Sequence, residues 1–209
     1  RGEPRSTQRL IITASGGPFR NMPLKDLPFV TPEQALRHPT WKMGKRITID
    51  SSTLMNKGFE VIEAHWLFDI AWEQIEVVVH PQSLIHSMVE FEDNSIKAQI
   101  GPPDMRLPIQ YALFYPERRA NEAIPRLDIS VPISMTFEPM DPLRYPCFVL
   151  ALEAGRNGGT FPAALSAADE VAVQLFLDRR IVFTDIPRVV EGVLASHLPS
   201  FGGNLEDII

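Results

Sequence analysis

The spacing of apolar residues divides the chain into a first part that reads as strands and short helices and a last part with helical periods. RLIITAS (9–15) is a short apolar run that predicts a strand, and it leads into Gly16-Gly17-Pro18, a turn where glycines let backbone N–H groups converge. The proline-punctuated stretch from Pro23 to Met43 holds one short predicted helix at PEQALRH (32–38). KRITID (45–50) predicts a strand, and Ser51, Ser52 and Thr53 then open a predicted helix that runs to Trp66. EVVVH (76–80), SLIHSMVEFED (83–93) and SIKAQIG (95–101) predict three more strands. The last two join as a hairpin at Asp93-Asn94, with Ile96, Ala98 and Ile100 alternating against Ser95, Lys97 and Gln99. Gly101-Pro102-Pro103 breaks the pattern before a short predicted helix, MRLPIQYALF (105–114).

Residues 115–140 carry Pro116, Pro125, Pro132 and Pro139 with weak periodicity, the composition of an extended connector. Beyond it, DPLRYPCFVLALEAGR (141–156), AALSAADEVAVQLFLDRR (163–180) and TDIPRVVEGVLASH (184–197) have helical spacing, with Asp141 and Thr184 as candidate caps. LEDII (205–209) resembles the first turn of a further helix, and the chain begins at Arg1 without a methionine, so a longer polypeptide is expected. The expected architecture is an α+β domain over 1–114, a mixed sheet with flanking helices, then a connector over 115–140. An α-helical bundle over 141–209 completes it.

The helix DSSTLMNKGFEVIEAHW (50–66) sorts its residues at about 100° per position. Ser52, Thr53, Asn56, Lys57, Glu60 and Glu63 fall on one half, and Leu54, Met55, Phe59, Val61, Ile62 and Trp66 on the other. A solvated polar face over a core face explains this pattern. A second reading rests on the order of groups: hydroxyls and an amide near the helix start suit an anion such as phosphate, and Glu60, one turn on, suits a cation. Gly58 costs about 1 kcal/mol in a helix and marks close packing or close approach of another group.

Bulk properties narrow the classes. With 44% hydrophobic and 22% charged residues, the 209-residue chain has globular composition, and no apolar run approaches a membrane span. A formal charge of −6 argues against a general nucleic-acid surface. Cys147 alone cannot form an internal disulfide and reads as a small buried residue in a helix.

Four further segments carry candidate chemistry. SGGPFR offers the Ser15 hydroxyl and glycine-turn N–H groups, or a purely structural turn. HPTWKMGK places His38, Trp41 and Met43 close together, either as a loop packing its tryptophan inward or as a mobile cover over a ligand. His80 and His86 flank HPQSLIH, where structural hydrogen bonding is favoured over metal ligation because no nearby carboxylate completes a set. Met105 in GPPDM is core or pocket wall.

SGGPFR, RHPTWKMGKRITIDSSTLMNKGFEVIEAHWLF, HPQSLIHSMVEF and GPPDMRLPIQYALFYPER closely resemble the 1-deoxy-D-xylulose 5-phosphate reductoisomerases of the non-mevalonate isoprenoid pathway. The resemblance covers nearly the whole chain. It implies a catalytic domain that rearranges a ketose phosphate with a divalent cation (Mn, Mg or Co) and then reduces it with NADPH. It further implies a homodimer located in the bacterial cytoplasm, or in a plastid if the source is a plant or alga. By resemblance, Ser15, Ser51, Asn56 and Lys57 match the phosphate and substrate contacts, and His38 a substrate-side histidine. Glu60 matches a metal ligand, and with Lys57 a catalytic residue. Trp41 and Met43 match a flap over substrate and cofactor, Gly44 a cofactor contact and Met105 a wall near the nicotinamide. The family's glycine-rich dinucleotide domain and its two other metal carboxylates are expected before Arg1. Ser52 and Phe59 stand where alanine and leucine are expected, one on each face of the helix. The alternative reading is a catalytically incomplete phosphate-binding or dimerisation module.

Overall fold

A computed structural model describes residues 6–200. Its centre is a five-stranded mixed sheet built from β1 (Thr7–Ala14), β2 (Ile75–Val79), β3 (Ile85–Phe91), β4 (Ile96–Ile100) and β5 (Glu138–Pro139), in the order β4-β3-β1-β2-β5. β1 and β2 run parallel, with Leu10 opposite Ile75 and Ala14 opposite Val79, and every other pairing is antiparallel. The helices are α1 (Pro32–Ala35), α2 (Lys45–Thr53), α3 (Met55–Phe68), α4 (Arg106–Phe114), α5 (Pro146–Asn157), α6 (Phe161–Leu177) and α7 (Asp185–Ser196).

Two of the expected elements form differently. KRITID is not a strand: it makes up most of α2, whose N-cap is Gly44. The Ile47-Thr48-Ile49 alternation imitates a strand, yet Ile49 is fully buried and Ile47 exposed. Three of the four hydroxyls on this helix turn back onto the preceding turn, and the buried Ser51 Oγ points elsewhere. Thr48 Oγ1 donates to the Gly44 carbonyl at 2.7 Å, Ser52 Oγ to Ile49 at 2.6 Å, and Thr53 Oγ1 to Asp50 at 3.2 Å. Back-bonding of this kind lets serine and threonine be buried inside a helix. Ser51 and Ser52 are therefore interior residues, not caps, and Ser52 and Thr53 are buried, off the solvated face expected for them.

The single helix expected from Ser51 to Trp66 is also broken. Leu54, fully buried, adopts a left-handed conformation (φ 56°, ψ 18°) and separates α2 from α3. Val61 and Ala64 of α3 join Ile12, Ala14 and Val77 of the sheet in one core cluster. Met55 and Ile62 join Ile49, Ala151, Leu165, Phe176 and Ile186 in a second cluster between helices. α3 thus lies between the sheet and the C-terminal helices. Trp66, assigned to the apolar half, is instead 70% exposed beside exposed Leu67 and Phe68.

Gly58 sits at the tightest point of this packing. A Cβ built there would lie 2.2 Å from the Ala151 Cβ of α5, so the glycine serves helix–helix contact and not ligand approach. The connector over 115–140 is mostly irregular but ends in β5, where Glu138 and Pro139 pair with Val79 and Val78 of β2. Proline is tolerated there because the strand is an edge. Asp141 does not cap α5; its carboxylate accepts from the Leu143 N–H in a turn before the N-cap, Tyr145. Thr184 occupies the N-cap of α7 without a side-chain bond. LEDII lies outside the described residues.

Candidate active site

The end of β1, the loop before α2 and α2 itself meet at one histidine. His38 Nε2 lies 3.0 Å from Ser15 Oγ and 3.1 Å from Ser51 Oγ. Its other ring nitrogen, Nδ1, accepts the backbone N–H groups of Thr40 (3.1 Å) and Trp41 (2.8 Å). Two donors aimed at Nδ1 leave it without a proton, so the neutral ring carries its hydrogen on Nε2 and donates it toward the serines. Burial lowers the His38 pKa below its ordinary value, in keeping with a neutral ring. The Ser15 and Ser51 hydroxyl protons are left for an acceptor supplied from outside.

The Gly-Gly turn holds Ser15 in place. Ser15 Oγ accepts the Gly17 N–H at 3.2 Å, and the Tyr145 hydroxyl donates to the Gly16 carbonyl at 2.9 Å. Gly17 has φ +67°, and a Cβ there would lie 2.7 Å from Ser52 Cα and 2.8 Å from the Ser51 carbonyl. The turn therefore packs directly on the α2 backbone.

A second group forms one turn into α3. Lys57 Nζ donates to both carboxylate oxygens of Glu60 at 2.8 Å, with the lysine side chain 16% and the glutamate 40% exposed. Glu60 lines a cleft of about 1030 Å³ together with Glu63, His86, Ser87, Leu67 and Phe68. Burial, and then the neighbouring Glu60, raise the Glu63 pKa. Asn56, just before Lys57, keeps a buried Oδ1 without a hydrogen-bond partner among the described residues.

The sequence favours structural hydrogen bonding for both His80 and His86, and the structure separates the two. His80 is structural as expected: fully buried, its Nδ1 2.9 Å from the Thr136 carbonyl and its Nε2 accepting the Leu84 N–H. His86 differs, because its buried Nε2 has no hydrogen-bond partner among the described residues. Burial lowers its pKa, with smaller downward contributions from Lys57 and His80. The pairing of β3 with β4 slips between Ile85 and Ser87, so His86 is the extra residue of a bulge. Bulges re-aim side chains, and period-two alternation carries no trace of them.

Trp41 links the two groups. Its backbone N–H fixes His38, and its half-buried ring lies 6.2 Å from the His86 ring. Three expected residues are not drawn in. Gly44 is exposed with nothing near a built Cβ, Met43 is half-buried in the same loop, and Met105 is 57% exposed at the head of α4, away from the cleft lining.

Among the described residues, no group of three or more histidine, cysteine or acidic side chains is placed to hold a metal. Glu60 supplies one carboxylate, already engaged by Lys57, which does not complete the six-oxygen shell of a small hard cation. Nor is the Gly16-Gly17 turn a dinucleotide cradle, because α2 fills the space beside it. No described helix is long and apolar enough to cross a membrane.

Fold and site together define an α+β protein with a hydroxyl–histidine cluster and a separate acid-lined cleft, joined by one tryptophan. Residues 100–209 match the family described as DXP reductoisomerase C-terminal domain, and residues 1–68 match 1-deoxy-D-xylulose 5-phosphate reductoisomerase C-terminal domain. The chain belongs to the 1-deoxy-D-xylulose 5-phosphate reductoisomerase family. It is 60% identical over 94% of its length to the reductoisomerase of Heliobacterium modesticaldum, covering 50% of that protein. It is 56% identical over 96% of its length to that of Acetivibrio thermocellus, covering 52%. The reductoisomerase of Zymomonas mobilis in complex with NADPH superposes with TM-score 0.90 at 48% identity, over 98% of this chain and 52% of that one. A DOX-P reductoisomerase in complex with NADPH, fosmidomycin and magnesium also gives TM-score 0.90, at 40% identity over 97% of this chain and 52% of that one. The chain spans about half the length of the curated relatives it matches.

Proposed function

We propose that this chain forms the substrate-binding half of an enzyme that rearranges 1-deoxy-D-xylulose 5-phosphate. The same enzyme reduces the product with NADPH to 2-C-methyl-D-erythritol 4-phosphate, for isoprenoid synthesis by the non-mevalonate route. The observation that carries this reading is His38 held between Ser15 and Ser51 with Nδ1 occupied by two backbone donors. In that tautomer Nε2 shares its one hydrogen between the two serine oxygens and has no lone pair to accept their protons, so both hydroxyls donate outward to an anion. Lys57 adds a charge-assisted donor and Asn56 its amide, a phosphate-binding set. Glu60 faces the cleft where the sugar's oxygens would lie. Trp41, with Met43 beside it, covers the bound ligand and excludes water, and Gly44 and Met105 border the reductant.

When bound, NADPH would supply the hydride and a divalent cation, with Glu60 among its ligands, would polarise carbonyl and hydroxyl oxygens. The described residues hold neither by themselves, and Glu60 is this chain's one proposed contribution to the cation. The edge strand β4 is exposed throughout and α4 presents exposed Ile109, Leu113 and Phe114, which supports pairing with a second copy. Sedimentation of the native protein as a monomer refutes that pairing.

The enzymatic reading is tested on the protein at its full native length by following NADPH oxidation with the ketose phosphate and a divalent cation. Cation-dependent turnover is expected in the wild type, with Lys57→Ala raising KM about 10- to 100-fold through loss of a charge-assisted bond. No turnover, with inorganic phosphate still bound, would establish the non-catalytic module instead.

A further inference from the structure

A buried pair of carboxyl groups at the contact of α2 with α6 takes no part in the site described above. Asp50 of α2 and Asp169 of α6 are 5% and 0% exposed. Oδ1 of Asp50 and both carboxylate oxygens of Asp169 have no hydrogen-bond partner among the other described groups. Two ionised carboxylates so placed would each need a donor or a cation.

The cation at hand is Arg46, one turn before Asp50, and it is shared. Its Nη2 lies 4.0 Å from Asp169 Oδ2 and donates to the Ser166 carbonyl at 3.3 Å, while Nη1 holds Glu170 Oε2 at 2.7 Å. Three carboxyl groups, those of Asp50, Asp169 and Glu170, therefore face one guanidinium. From α5 the pair meets the buried thiol of Cys147, which burial keeps protonated, with the Thr53 hydroxyl beside it. The two aspartates lie within hydrogen-bonding reach of each other, and burial pushes both above the usual carboxylate range. A proton retained on Asp50 supplies the donor that Asp169 lacks.

We propose that Asp50 and Asp169 share one proton, and that this acid–carboxylate bridge fastens α2 to α6 and so positions Ser51, the next residue after Asp50, for its ligand. The bridge stands on burial and charge balance. Its effect on binding rests on the phosphate reading of Ser51 given above. Both aspartates are positioning residues, since neither touches the ligand.

The sign of the pH dependence follows. Both aspartates keep protons that the unfolded chain gives up near the ordinary value of 3.8, so stability declines as pH rises until Asp169, pushed up to about 6, and then Asp50, pushed up to about 8, have ionised. Each retained proton lowers the folding equilibrium constant by up to about tenfold per pH unit until its own carboxyl ionises, and above the Asp169 step one shared proton remains. Asp169→Asn replaces the shared proton with amide hydrogens and removes this dependence.

The test uses the full-length protein as wild type, Asp50→Asn and Asp169→Asn. Infrared difference spectra should show a protonated-carboxyl carbonyl band in the wild type at neutral pH that both variants lose. Denaturation across pH should show the decline in the wild type and a flatter profile in Asp169→Asn. The dissociation constant for inorganic phosphate should rise from neutral to alkaline pH several-fold more in the wild type than in Asp169→Asn. A band that survives both substitutions, or parallel stability profiles, overturns the shared proton. Unchanged pH dependence of phosphate binding in Asp169→Asn, with the band and the stability difference present, overturns the positioning of Ser51. If neither protein binds phosphate, the phosphate reading fails while the band and the stability profile still establish the bridge.

Discussion

Gly58→Ala would normally stabilise a helix by about 1 kcal/mol through restricted backbone freedom. Here the new methyl would lie 2.2 Å from the Ala151 Cβ, 3.7 Å from its Cα and 3.8 Å from the Phe148 carbonyl oxygen. Carbon atoms pack at about 3.5–4.0 Å, so α3 and α5 must part locally by roughly 1.3–1.8 Å. Neither methyl can rotate away, because both are rooted on helical backbone. Overpacking of a close-packed interior costs about 1–3 kcal/mol, and this contact lies at the severe end. After the propensity gain, a net loss of about 1–2 kcal/mol is expected. The separation also shifts Lys57 and Glu60, which flank Gly58, so ligand binding should weaken along with stability. Urea denaturation of the full-length protein measures the loss as a fall in midpoint at constant slope. Ala151→Gly removes the opposing methyl, so in the double variant the two changes should couple favourably by about 2 kcal/mol while Ala151→Gly alone costs about 1. A neutral or stabilising Gly58→Ala, or strict additivity in the double variant, would refute the packing argument.

Gly17→Ala should cost at least about 2 kcal/mol, because φ +67° is strained for alanine and its methyl would meet the α2 backbone at 2.7 Å; thermal unfolding checks this. Glu60→Gln should tighten inorganic phosphate binding by a few-fold, since it frees Lys57 from a part-exposed pair contributing up to about 1 kcal/mol, while turnover falls; calorimetry beside an activity assay separates the two. The folded-state pKa of His38 lies below its ordinary 6.5, so the unfolded chain binds the proton first and stability falls as pH drops below that value. His38→Gln should flatten the acid limb of denaturation measured against pH, by up to about 1.4 kcal/mol per pH unit.

β1 to β4 were legible because short apolar or alternating runs ended at Gly, Pro or Asp-Asn, and α5 to α7 because their apolar spacing persisted over several turns. α2 was not legible. Its Ile and Thr residues carry strand propensity, and only burial of Ile49 together with hydroxyl back-bonding makes the helix the better solution. β5 escaped notice because two residues, one a proline, make no pattern. At the site, Ser15 and His38 stood out in their own segments, the roles of Ser15, His38 and Ser51 came from a resemblance, and the structure gives the bonds that join them. His86 was in view, but its turn toward the cleft was hidden by a bulge. The Asp50–Asp169 pair was hidden by a separation of more than a hundred residues, which no local pattern spans.

The left-handed break at Leu54 divides responsibility for the site. Ser51 rides on a helix held by α6, and Lys57 and Glu60 ride on another held against α5 through Gly58 and Ala151. A change in either C-terminal helix is transmitted to one half of the site and not equally to the other. Mutational libraries aimed at ligand preference should therefore sample the inward faces of α5 and α6 as well as the cleft, because substitutions there adjust the spacing between hydroxyl and ammonium donors without altering any group that meets the ligand.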